Sequence, residues 1–115
     1  SLEADQISRD PAVVADYIAD PLVYNGKITA ALGMELLSAM DDAIAGAQNI
    51  TLPIYIAHGE ADVMAMPDGS RAFFQALASQ DKTLDWWPDL YHEIFNEPES
   101  EAVMDRFAGW LEAHL

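Results

Sequence analysis

A chain of 115 residues, 51% hydrophobic and without cysteine, has room for one domain at most. That composition suits a packed core, and it excludes disulfides, thiolate metal sites and cysteine nucleophiles. Twenty acidic residues against five basic ones leave a net charge of -15, which repels nucleic acid and anionic lipid and argues against a phosphate-binding role. The acids are spread along the chain with no acidic tail; a well-solvated surface is one reading of them and adaptation to salt is the other. No apolar run approaches the ~20 residues that span a bilayer, and the acidic start Ser1-Leu2-Glu3-Ala4-Asp5 is no signal peptide. The chain begins without Met, so it reads as processed or as a piece of something longer.

The first predicted element is a short helix from Pro11 to Ala19. Asp10 suits its N-cap and Pro11 its first position; Val13, Val14, Tyr17 and Ile18 share a face, and Asp20-Pro21 ends it. Asn25-Gly26 predicts a turn. A longer helix follows from about Ile28 to Ala45, with Ile28, Leu32, Leu36, Met40 and Ile44 every four residues and Leu37 widening the stripe; Gly46 and Asn49 are stop signals. Pro53 to Ala57 reads as a buried strand closed by His58-Gly59. A loop from Glu60 to Asp68 leads to a helix from about Gly69 to Ser79, with Phe73, Phe74 and Leu77 on one side. Gln80-Asp81-Lys82 turns the chain into a second strand, Thr83 to Trp87, stopped by Pro88. After a loop to Pro98, the last helix runs from about Glu99 to the end with Val103, Phe107, Trp110, Leu111 and His114 at helical spacing.

Strand, helix, strand implies two parallel strands joined by a right-handed crossover. Sheets of this kind are normally covered on both faces and contain more strands, and open edges need a partner. The chain therefore reads as structurally incomplete.

In an open parallel sheet, ligands bind beyond the carboxyl ends of the strands. Asp62 lies five residues past the first predicted strand and His92 five past the second, so both loops are expected at one edge, on strands ~4.8 Å apart. An Asp that accepts Nδ1–H of a His fixes its tautomer and stabilises the imidazolium, leaving Nε2 to deprotonate a serine. On spacing alone, an Asp in a turn and a His on a surface loop explain the residues as well.

The surroundings add a resemblance. Leu52-Pro53-Ile54-Tyr55-Ile56-Ala57-His58-Gly59-Glu60-Ala61-Asp62 resembles the strand and acid-bearing loop of α/β-hydrolases. Asp81-Lys82-Thr83-Leu84, then Tyr91-His92-Glu93 and Asn96-Glu97, are similar to the monoacylglycerol lipases, as are Ser8-Arg9-Asp10 and Asp20-Pro21-Leu22-Val23 in the lid of that family. The resemblance covers nearly the whole chain, in the right order. It implies an α/β fold: the C-terminal portion of an α/β-hydrolase, its last two parallel strands with flanking helices, preceded by part of a helical lid. Residues 1–50 would be lid and 51–115 core. It implies Asp62 as triad acid and His92 as base, a monoacylglycerol substrate, no cofactor and no metal. It also implies a cytoplasmic enzyme with transient membrane contact through the lid. The family's Gly-x-Ser-x-Gly nucleophile motif is absent: Ser1, Ser8, Ser38, Ser70, Ser79 and Ser100 all lie outside a glycine elbow. The nucleophile is expected on an upstream polypeptide that pairs with this chain, and the chain alone is expected to be inactive. A broader carboxylesterase or lysophospholipase is the hydrolytic alternative; a non-catalytic binding or assembly subunit on a hydrolase scaffold is the alternative of another class.

Other residues carry two readings each. The stripe Ile28, Leu32, Leu36, Leu37 and Met40 packs on a core or, as the resemblance implies, lines an acyl-chain tunnel, with Val63 and Met64 beside Asp62 as further lining. His58 is a structural residue of the His-Gly pair or a second base. His114 is exposed or packed on the last helix, without a catalytic role. A zinc site at His58, Asp62 and His92 lacks supporting ligand spacing. Trp86 and Trp87, adjacent on a strand, face opposite ways. Glu93 acts on His92 or, the reading preferred, makes a hydrogen bond within the turn.

Overall fold

The computed structural model describes residues 3–24 and 26–115. Its elements are α1 (Pro11–Ala19), α2 (Ala30–Gly46), β1 (Ile54–Gly59), α3 (Pro67–Ala76), β2 (Lys82–Trp87) and α4 (Ser100–Glu112), with 3-10 turns at Ala4–Gln6, Ala47–Asn49 and Ile94–Asn96. The order is the one the sequence predicts. The turn expected at Asn25-Gly26 falls on residue 25, outside the described residues.

Local chemistry sets the boundaries. The Asp10 carboxylate accepts from Ala12 N–H at 2.8 Å and caps α1. Val13, Val14 and Tyr17 are half-buried while Ile18 is exposed, so the predicted face is narrower by one residue. Thr29 caps α2 by accepting from Leu32 N–H at 3.1 Å, which leaves Ile28 ahead of the helix and not on it. Pro67 at the first position starts α3 two residues before the predicted Gly69. Its end comes three residues early because Leu77 is extended, and Lys82 Nζ donates to the carbonyls of Phe74 and Leu77, both at 2.9 Å. That lysine also brings β2 one residue forward.

β1 and β2 pair in parallel from Ile54↔Lys82 to Gly59↔Trp87, and the period of two sends alternate side chains to opposite helices. On one face Tyr55 meets Phe107 and Trp110 of α4 at ring-centroid distances of 5.5 and 5.6 Å, and Trp110 donates to Thr83. Asp85, buried beneath them, is bound by Tyr55 and Arg106. Burial of the Tyr55 hydroxyl, reinforced by Asp85, pushes its pKa far above that of free tyrosine. Trp87, Leu90, Ile94 and Val103 form the buried apolar core on this side, with Ala57 packed against it. On the other face Arg71 of α3 stacks over Trp86 at 4.6 Å and Ser70 meets His58. Trp86 and Trp87 do face opposite ways, and each meets an arginine from a different helix.

One expectation of burial needs correction. Residues 54–58 of β1 are half-buried and not buried, because β2 is their one sheet neighbour among the described residues. On α4, Val103 is buried, Phe107 and Trp110 are half-buried, and Leu111 and His114 are exposed. The radius of gyration is 15.8 Å, above the ~13 Å of a compact domain of about this size. α2 contacts α3 and the 3-10 turn after it, and buries none of its own residues.

Candidate active site

Parallel pairing in register ends both strands at one edge, at Gly59 and Trp87. β1 runs two residues further than expected, so Asp62 follows it by three residues and not five. The two loops then interlock: Glu60 N–H donates to the Trp87 carbonyl at 2.8 Å and Ala61 N–H to the Leu90 carbonyl at 3.1 Å. Gly59 permits this approach. A Cβ there would lie 2.2 Å from the Leu90 carbonyl oxygen and 2.4 Å from that of Tyr91, so any larger residue drives the loops apart.

Asp62 is 3% exposed. Its Oδ1 accepts from the N–H groups of Met64 at 2.8 Å and Ala65 at 2.9 Å, an Asx turn that fixes the carboxylate plane. Its Oδ2 lies 2.9 Å from Nδ1 of His92. Burial pushes the Asp62 pKa up, but the Ala65 N–H, the His92 ring and the Met64 N–H together outweigh it and hold the carboxyl below its ordinary value. An ionised carboxylate only accepts, so Nδ1 donates, and in the neutral ring Nε2 is the basic atom. The His92 side chain is 40% exposed, and among the described residues nothing hydrogen-bonds Nε2. The arrangement can therefore take a proton from a hydroxyl brought to that atom and hold the resulting imidazolium against Asp62.

His58 is engaged otherwise. Its Nε2 donates to the Ala65 carbonyl at 2.8 Å and sits 3.2 Å from Asp62 Oδ2, while Nδ1 accepts from Ser70 Oγ at 2.7 Å. Both ring nitrogens are thus spent bracing the Asp62 loop against α3. Glu93 accepts from Asn96 Nδ2 at 2.8 Å, a bond inside the turn. Among the described residues no group of three His, Cys, Asp or Glu is arranged to hold a metal ion.

A groove of about 520 Å³ opens beside the loops, lined by Met40, Ala43 and Ile44 of α2, Met64, Ala65 and Met66 of the Asp62 loop, His58, and Gly69, Ser70 and Phe73 on α3. A smaller recess of about 100 Å³ holds Asp62, His58 and His92 with Gly59 and Ile94. Of the residues expected to line an acyl site, Met40 and Met64 are in the groove wall. Val63 is exposed, and Ile28, Leu32, Leu36 and Leu37, earlier in the chain, are exposed and do not line the groove. The last turns of α2 reach the groove; the first do not. The sequence reading missed Ile44, Met66 and Phe73 as wall residues. Ile44 extends the same four-residue spacing, which was the available signal. It also gave Glu97 no role, although this buried side chain joins Arg9 to the His92 loop.

A parallel strand–helix–strand unit with an acid and a base at its carboxyl edge is the arrangement of an α/β-hydrolase. The family model described as serine aminopeptidase, S33 matches residues 1–99, and the chain belongs to this α/β-hydrolase family. It is 41% identical over its whole length to a monoacylglycerol lipase of Mycolicibacterium smegmatis, covering 41% of that protein. Among solved structures, the monoacylglycerol lipase of Paleococcus ferrophilus superposes with a TM-score of 0.91 at 36% identity, over 99% of this chain and 44% of that one. A soluble variant of Saccharomyces cerevisiae monoglyceride lipase, in complex with a substrate analogue, shares the fold with a TM-score of 0.86 at 24% identity, over 99% and 40%. The chain thus spans about two fifths of the length of the relatives it matches.

Proposed function

We propose that this chain is the acid- and base-bearing part of a serine ester hydrolase acting on monoacylglycerol. The observation that carries the reading is the 2.9 Å contact of His92 Nδ1 with the buried Asp62 carboxylate at the end of the paired strands. The likeness to monoacylglycerol lipases over the full chain supports the substrate class. Residues 1–50 serve as part of a lid and residues 51–115 as the core edge. The nucleophile is a serine of a Gly-x-Ser-x-Gly elbow on an upstream segment that packs against this chain.

In the reaction, Nε2 of His92 takes the hydroxyl proton as the serine oxygen attacks the ester carbonyl. Asp62, ionised and held by two backbone N–H groups, keeps Nδ1 protonated and stabilises the imidazolium. His92 then returns the proton to the leaving glycerol oxygen as the C–O bond breaks, which leaves an acyl-serine. Water, deprotonated by the same nitrogen, releases the fatty acid and restores the serine.

His92→Ala and Asp62→Asn in the complete enzyme test this. Turnover of a monoacylglycerol should fall by about 10⁴-fold in each, on the scale of the serine-protease precedent. A folded variant that keeps a wild-type rate overturns the assignment of that residue.

A further inference from the structure

His92 lies in a loop, its ring partly exposed and bound to the protein through Nδ1 alone among the described residues. An imidazole so placed is only as well aimed as its backbone. That backbone is tied on both sides. Tyr91 N–H donates to Glu97 Oε1 at 2.7 Å, and Glu93 N–H donates to the Ile7 carbonyl at 2.8 Å. Both ties lead to the same stretch of chain. The Glu97 side chain, fully buried, also accepts from Arg9 Nε at 2.9 Å and from Arg9 backbone N–H at 3.3 Å. Ser8 Oγ donates to the Asn96 carbonyl at 2.9 Å, and the far end of the Arg9 guanidinium reaches Glu99.

A carboxylate without solvent is costly unless each oxygen is matched. A short neutral side chain would hold an ordinary turn. Here a charge-assisted clasp, shorter and stronger than a neutral bond, joins segments some 88 residues apart in sequence and holds Tyr91 N–H on one side of the base, while Glu93 N–H on the other side is held by the Ile7 carbonyl of the same stretch. We propose that Glu97 and Arg9 are positioning residues for His92: the clasp fixes where the imidazole stands against Asp62 and toward the nucleophile. This rests on the reading of His92 as the base. Neither residue touches substrate or the reacting atoms.

Misplacement of a catalytic group by about 1 Å costs on the order of 10²-fold in rate, and that sets the expected scale. The test is made in the complete enzyme with Glu97→Ala, Glu97→Gln and Arg9→Gln, beside His92→Ala. Glu97→Gln keeps the shape and an oxygen for Tyr91 N–H, but it loses the charge and turns an NH2 donor toward the Arg9 N–H groups that Oε2 accepts from. Expected are losses in kcat of about 10²-fold for Glu97→Ala and about tenfold for each Gln variant, with KM changed by less than about threefold. The double variant R9Q/E97Q should lose no more than the larger single loss, because both act through one contact. The downfield proton resonance of His92 Nδ1–H, identified by its absence in His92→Ala, should move or broaden in the clasp variants. If Glu97→Ala fails to fold, the two Gln variants carry the test. Wild-type kcat in folded Glu97→Gln and Arg9→Gln, or a lower Tm with kcat and the Nδ1 signal unmoved, reduces the clasp to a staple and overturns the proposal. An active His92→Ala enzyme instead removes the base assignment itself; an inactive one beside fully active clasp variants overturns the clasp alone.

Discussion

The loops that carry Asp62 and His92 and the helix α2 that precedes them are built to opposite rules. In the loops, buried polar groups are matched within the chain: Asp62 by two N–H groups and an imidazole, Glu97 by Arg9 and Tyr91. In α2 not one residue is buried, and Leu37 keeps 65% of its surface open. The contrast separates two kinds of encoding. The acid–base geometry depends on contacts this chain makes with itself. The apolar wall does not, and on the proposed reading it gains its function only when more of the enzyme closes over it.

Substitutions on α2 sharpen the comparison most. Met40→Ser and Ile44→Ser remove apolar surface from the groove. Each should lower kcat/KM for long-chain monoacylglycerols relative to short ones by roughly fourfold for every acyl methylene that no longer meets the wall, the equivalent of about 0.8 kcal/mol. Leu37→Ser, on the stretch outside the groove, should leave that ratio within about twofold, well under the same fourfold scale. A chain-length series assayed for all three checks this. Equal losses at every chain length for Met40 and Ile44 would make the groove wall plain core, and a strong ratio change at Leu37 would extend the acyl path along the helix.

The smaller effect is on pH. His114 donates from both ring nitrogens, to the Trp110 carbonyl at 2.6 Å and to Asp81 at 3.0 Å, and stacks on Trp110 at 3.9 Å. The Trp110 carbonyl foremost, with Asp81, raises its pKa against the opposing effect of desolvation. A raised folded pKa gives a contribution fully present below the unfolded value and lost as pH rises through the folded one. The end of α4 should therefore exchange its amides faster as pH goes from about 6 to about 8, once intrinsic exchange is corrected, since free histidine titrates near 6.5. His114→Ala should abolish the difference. Asp62 has the opposite sign: its depressed pKa stabilises above the unfolded carboxylate range, and that contribution is lost only as pH falls through the lower, folded value.

The strands, the crossover and the Asp62–His92 pair were legible because each rests on a local pattern. The apolar runs, the glycine after His58 and the proline after Trp87 fix the strand ends, and parallel pairing does the rest. What could not be read depends on distant contacts. Leu77 to Ser79 look helical, yet Lys82 draws off the carbonyls that would continue the helix. The stripe of α2 has the right period, but period does not say what covers it. Glu97 stands in the Asn96-Glu97 motif, but nothing in its own neighbourhood says that it binds Arg9. A signal did exist in the scarcity of cations: of five basic residues, Arg9, Arg71, Lys82 and Arg106 each anchor a tertiary contact. In so acidic a chain, asking which carboxylate holds each arginine would have led to Glu97 and Asp85.

The central claim is that this chain brings the acid and base while the nucleophile lies elsewhere. Labelling with a serine-reactive phosphonate, followed by mass spectrometry of the peptides, tests it most directly. With the Gly-x-Ser-x-Gly segment present, the label should fall on that segment, vanish in His92→Ala, and spare all six serines of this chain, which should hydrolyse no ester alone. Label on Ser70, whose hydroxyl already lies 2.7 Å from His58, or phosphonate-sensitive esterase activity from residues 1–115 alone, would contradict it.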